Sequence, residues 1–301
     1  MERQAVDSLF TTLQFHTWTM RFFARRRSCP LRGSNHRRRT LRAYAVLCIL
    51  IAWLISPAPS WAYRPFISTD AAVADPKEFE IELGYFTLER EKDENAFVIP
   101  RLVLNYGLFQ NWEAVAEFAI RRAPDADVDV IDPAISLKGV LKEGVLQDKE
   151  GLAIAVEASL LLPSTQAGEG KFGFEAIGIL SEKIGPFTFH LNGGLGVERS
   201  TGDLVGIWGL IGELPVIKAV RLVGEVNGEK PRREDQRNSG LLGVIWQPWP
   251  SKNLWLDAGI RRGFTSSVPD WQFTVGITFA FSVSSPAELF RETRTTSSGM
   301  R

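Results

Sequence analysis

The chain has 301 residues, of which 35 are basic and 35 acidic, so its formal net charge is zero. That balance adds two unlike parts: residues 1–62 hold ten arginines against Glu2 and Asp7, leaving 25 basic against 33 acidic residues, or −8, in 63–301. An acidic remainder lacks the basic footprint of nucleic-acid binding. Both cysteines, Cys29 and Cys48, fall before residue 63, which removes disulfides and cysteine metal sites from residues 63–301.

The first element is a leader. Arg37, Arg38, Arg39 and Arg42 precede an apolar stretch at 43–55, followed by Pro57, Pro59 and Ser60-Trp61-Ala62. This is the order of a secretory signal peptide, with cleavage expected after Ala62. The stretch is shorter than the ~20 residues of a spanning helix, and the longest later apolar run, 204–212, stops at Glu213. Residues 1–36 are either a long basic extension or upstream sequence, with Met20 as a second start. The expected organisation is a leader at 1–62, one β-barrel domain at 63–281 and a periplasmic tail at 282–301.

Period-two segments then recur with turn material between them, about twelve in all. Phe79, Ile81, Leu83 and Tyr85 oppose Glu80 and Glu82. Val98, Leu102, Leu104, Tyr106 and Leu108 oppose Arg101 and Asn105, with Pro100 interrupting the ladder. Trp112, Ala114, Ala116, Phe118 and Ile120 oppose Glu113, Glu117 and Arg121. Ile131, Ile135, Leu137 and Leu141 oppose Asp132, Ser136 and Lys138; Leu152, Ile154, Val156 and Leu160 oppose Glu157 and Ser159. Phe187, Phe189, Leu191, Leu195 and Val197 oppose His190, Asn192 and Glu198. Leu222 and Val226 oppose Arg221, Glu225 and Asn227, and Leu254, Leu256 and Ile260 oppose Asp257 and Arg261. Segments 172–183, 204–214 and 240–249 alternate poorly. The last, 271–281, sets Trp271, Phe273, Val275, Ile277, Phe279 and Phe281 against small or polar residues.

Such alternation fits a transmembrane antiparallel up-and-down β-barrel of about 12 strands, apolar side out. It also fits a secreted soluble lipocalin-like barrel, apolar side in, holding a small hydrophobic ligand. Charges of both signs on the polar face, and Tyr106, Trp112, Trp249, Trp255 and Trp271 near segment ends, favour the membrane form with its aromatic girdles. An even strand count puts both termini in the periplasm, with turns at 109–111, 184–186 and 215–218 on that side. The outer loops are then 123–130, 165–171, 229–238 and 264–270, and the 142–151 connection is long for a periplasmic turn.

Several segments together resemble the outer-membrane barrel family named for the meta-pathway of phenol degradation. They are Asn105-Tyr106-Gly107-Leu108 before a turn and Trp112-Glu113, 132–138 (DPAISLK), 160–164 (LLLPS), 221–228 (RLVGEVNG) and 270–281 (DWQFTVGITFAF). The likeness implies an outer-membrane transporter of small, aromatic or amphipathic solutes. The chain departs from the family in running on past Phe281 to Arg301, because the assembly signal, here 273–281, is normally terminal.

The expected pore-lining set is Arg101, Glu117, Arg121, Asp132, Lys138, Glu157, His190, Glu198, Arg221, Glu225, Asp257 and Arg261. These residues either face a water-filled lumen or pair into internal salt bridges. Arg101, Arg221, Glu225 and Arg261, taken as mid-strand, are the expected constriction. A lipid hydrolase would need a base, and His190 is the one histidine after the leader, with Ser159, Ser181 and Ser200 as strand or rim serines. No lipase signature surrounds them, so no enzyme, cofactor or metal is expected. The expected partners are outer-membrane lipid, the barrel assembly machinery and a small-molecule solute, with no nucleic acid.

Overall fold

The computed structural model describes residues 64–91, 94–124, 127–249 and 252–283. The expected leader with its cleavage point, and the expected tail beyond residue 283, lie outside these. Twelve strands make the wall: β1 (Glu78–Glu91), β2 (Glu94–Phe109), β3 (Trp112–Arg122), β4 (Val128–Lys142), β5 (Ala153–Leu161), β6 (Gly173–Ile184), β7 (Phe187–Val197), β8 (Leu204–Ile217), β9 (Val220–Pro231), β10 (Arg237–Trp246), β11 (Leu254–Gly263) and β12 (Trp271–Ser282). Each pairs antiparallel with its neighbours in sequence, and β1 pairs with β12 from Glu78↔Ser282 to Arg90↔Trp271, so the sheet closes and has no edge. The barrel has a terminal end, where β1 begins and β12 finishes, and a distal end opposite.

The wall is inside-out relative to a soluble barrel. Its outer surface carries Ile135, Leu137, Leu160, Leu191, Leu195, Leu222, Leu242 and Phe273, and Leu242 keeps 71% of its surface accessible. The interior buries Glu80, Glu82, Glu113, Lys138, His190, Asn192, Glu225, Asp257 and Arg261. A lipocalin-like barrel needs the reverse orientation, so the soluble alternative fails on geometry. Aromatic side chains gather at both ends. Phe79 contacts Tyr106 (centroids 4.5 Å apart) and Phe109 contacts Trp112 at the terminal end, while Trp271 lies under Arg262 at the distal end.

Three sequence expectations need correction. Val98 and Ile131 face inward and pack with Ala119. Each follows a shift in register: β2–β3 pairing skips from Val98↔Arg121 to Arg101↔Ala119, and β3–β4 pairing skips at Glu117/Ala119, with Asp132 at φ 53°. An extra residue in one strand reverses which side the next residue faces, so simple parity fails across a bulge. Pro100, which has no N–H to give the ladder, lies inside the first of these bulges. Trp255, expected in a girdle, instead faces the lumen with Val223, Leu241, Ile245 and Ala280. The outer loop expected at 229–238 is shorter, 232–236, since β9 extends to Pro231 and β10 begins at Arg237.

The first wall strand begins at Glu78. Residues 64–76 are neither helix nor wall strand, apart from one bridge between Pro76 and Gly107. They lie inside the barrel.

Candidate functional site

Residues 64–76 run round the inner wall from β12 back towards β1. A buried segment without a ladder must find partners for its backbone elsewhere, and here the wall supplies them. Arg64 opens the run: its Nε donates to Asp257 Oδ2 at 3.4 Å and its Nη2 to Thr274 Oγ1 at 2.9 Å. Phe66 packs against the Trp255 cluster. The backbone N–H groups of Ile67 and Ser68 both donate to Glu225, the latter at 2.6 Å. Asn192 holds both backbone polar groups of Thr69, accepting from its N at 3.0 Å and donating to its O at 2.7 Å. Ala71 N donates to Ser181 Oγ at 3.0 Å and Ala74 N to Glu113 Oε2 at 2.7 Å. Lys138, almost wholly buried, lies 3.7 Å from Asp70 and 3.8 Å from Glu113.

Two glycines make room for this path. A Cβ on Gly209 would collide with Ser68, and one on Gly107 with the Asp75 carbonyl. The long connection after β4 is also explained. It holds a 3-10 turn, Val145–Gln147, whose Gln147 Nε2 donates to Ala71 O at 2.8 Å and whose Leu146 packs with Ala71 and Ala72. The connection therefore braces the lumen segment at the terminal end.

On the distal side of the segment lies a cavity of about 730 Å³, bounded by residues 64–69, by the inner wall and by distal-loop residues such as Gln166, Glu169 and Ser200. Ten acidic side chains line it against six basic ones. Arg101 pairs with Asp132 at 2.6 Å, Arg199 with Glu169 at 3.0 Å, and Arg237 with Glu198 at 2.9 Å and Glu229 at 3.2 Å. Glu117, Glu157 and Glu175, on β3, β5 and β6, also line it, with Arg101 acting on Glu117 and Arg199 on Glu117 and Glu175 through space. By residue count the cavity's acidic groups exceed its basic ones, and these three sit on that side of the wall.

The twelve residues expected to line a pore divide by place. Arg101, Glu117, Asp132, Lys138, Glu157, Glu198 and Arg261 line the distal cavity. Arg121 pairs with Glu89, a cavity residue, at 3.1 Å. Glu225 and Asp257 are taken up by the lumen segment, and Glu225 also receives Arg261 Nη2 at 2.5 Å. His190 and Arg221 meet at Glu213, at 3.8 Å and 2.8 Å. Arg221 is the second residue of β9, so it belongs to the terminal end and not to mid-strand as expected.

His190 Nδ1 lies 2.8 Å from Ser181 Oγ, the same oxygen that accepts from Ala71 N. Ser181 has no accessible surface. The serine and histidine thus act as part of the seat for the segment.

Sequence reading missed Arg64, Glu113, Glu175 and Asn192 as site residues and weighed Ser181 only as a hydrolase serine. Glu113 and Asn192 stand on the polar parity of β3 and β7 and were within reach. Glu175 sits in a poorly alternating segment, and Arg64 carries no pattern at all.

Comparison with solved structures finds the same architecture. The chain is similar to an outer membrane channel from Pseudomonas putida F1, at 10% identity and TM-score 0.52, covering 75% of this chain and 100% of that one. The NanC porin aligns at 10% identity and TM-score 0.48, over 67% of this chain and 98% of that one. No protein-family model matches the chain, and no curated protein matches it.

Proposed function

We propose that the protein is an outer-membrane channel whose lumen is held closed at its terminal half by residues 64–76 and open to solutes at its distal half. The carrying observation is the pairing of an apolar outer wall with a polar interior around a cavity of about 730 Å³. Lipid would cover Leu242 and its neighbours, and water would fill the lumen. The periplasm would lie at the terminal end. The fold shared with an outer membrane channel supports this reading. The solutes are small and polar or amphipathic, with cations favoured by the acid surplus. The resemblance to barrels of phenol degradation extends the range to aromatic compounds. Lipid and the barrel assembly machinery, reading 273–281, are the partners, and no catalytic step is assigned to His190.

The test is to extract the expressed protein in detergent and compare boiled with unboiled mobility on a gel, then to record conductance in planar bilayers. A heat-dependent shift with discrete conductance steps supports a channel. A chain that stays soluble without detergent and shows no shift ends the proposal.

A further inference from the structure

A second cavity, of about 320 Å³, lies on the terminal side of the lumen segment, between residues 72–76, the start of β1, the β2–β3 turn and the connection after β4. Five carboxylates line it: Asp75, Glu78, Glu80, Glu143 and Asp148. Gln110, Asn111 and Gln147 add amide groups, and among the described residues no basic side chain lines it. Lys149 reaches Glu143 from the solvent side, and Asn111 Nδ2 donates to the same carboxylate at 2.9 Å, which together hold Glu143 below the ordinary carboxylate range.

The inner pair differs from Glu143. Glu78 and Glu80 sit two residues apart on one face of β1, with only 1% and 2% of their surfaces accessible. Glu78 Oε2 accepts from Asp75 N at 3.3 Å, but its Oε1 has no hydrogen-bond partner, and neither has Glu80 Oε1. A buried carboxylate oxygen with no donor is costly, and the cost falls when a ligand brings a donor and a positive charge.

The chemistry of the lining narrows the ligand. No three acidic or imidazole side chains among the described residues converge to hold a metal ion. The acceptors are instead spread over β1, the β2–β3 turn and residues 143–148, with Ala72, Val73, Ala74 and Leu146 between them. Separated acceptors joined by aliphatic surface suit a cation with separated N–H donors joined by methylenes. The space is about ten times the ~30 Å³ share of one water.

We propose that this chamber binds an aliphatic diamine or polyamine, with Glu80 and Glu78 as the buried anchors for one ammonium group. The ligand would touch residues 72–76 directly, so its binding would bear on how the lumen segment is held. This site does not depend on conduction through the barrel, and its test does not use conductance.

The experiment is calorimetric titration of 1,4-diaminobutane into the detergent-extracted protein at physiological salt. Saturable binding at one site is expected, weakened about tenfold or more by Glu80→Gln, since a hydrogen bond to a charged group contributes about 1.5–3 kcal/mol. Glu117→Gln, in the distal cavity, should leave it unchanged. Each variant is first checked for a heat-dependent gel shift; if Glu80→Gln fails that check, Glu78→Gln takes its place with the same expected loss. No saturable heat from the unaltered protein, unchanged binding in the β1 variant, or loss with Glu117→Gln alone overturns the proposal. Complete displacement of the diamine by an equal concentration of magnesium chloride also overturns it, by making the chamber a metal site.

Discussion

In the terminal half of the lumen, Glu113, Ser181, Asn192 and Glu225 each accept a backbone N–H from residues 64–76. In the distal half, Glu117, further along β3, joins Glu157 and Glu175 in facing the cavity. The same inward polar parity thus does two jobs. One set replaces water for a buried chain, and the other lines an open cavity. Side-chain type does not distinguish the two sets; the groups lying opposite them do.

Deleting residues 64–76 is the severest challenge to this division of labour. If the terminal half is closed by the segment, planar-bilayer recordings should move from brief, small openings to a stable large conductance. Unchanged conductance would mean that the wall itself closes the lumen. Next in size is Glu225→Ala, which strands Arg261 and two backbone N–H groups in a buried site; about 3–5 kcal/mol of stability should go, read by urea unfolding in detergent. Arg101→Ala probes the distal side in the same way. Its ion pair with Asp132 is partly exposed, at 35% and 46% of the side chains, so the same urea assay should show a loss of about 1 kcal/mol or less. Smallest in stability, within about 0.5 kcal/mol, is the combined Glu117→Gln, Glu157→Gln and Glu175→Gln variant. It should nevertheless shift the reversal potential in a salt gradient towards weaker cation preference. A shift of the opposite sign would show that these carboxylates do not set the selectivity.

Much of the wall was legible in the sequence, because lipid outside and water inside impose a period of two that needs no knowledge of distant contacts. Leu222 against Glu225, or Leu256 against Asp257, can be read from neighbours alone. The failures have a common cause. The inward turn of Val98 and Ile131 depends on bulges, and a bulge is set by how two strands match, not by either one. Trp255 reads as a girdle residue by its place near a strand end, yet its partners Val223 and Phe66 are far away in sequence. The lumen segment is the extreme case: residues 64–76 have no period because each contacts a different part of the wall. The one indirect sign of it in the sequence is the long 142–151 connection.

The contact between Arg64 and Thr274 spans 210 positions of the chain. Residues 64–76 are made before any strand, yet their seat is complete only when β12 has paired with β1. The barrel must therefore close around a chain that its own strands have not yet enclosed, and the entropy of joining the ends is lost before these contacts can form. Slow maturation is the expected result. The seam of β1 against β12, the wall pairing of greatest sequence separation, would set the pace for both wall and segment.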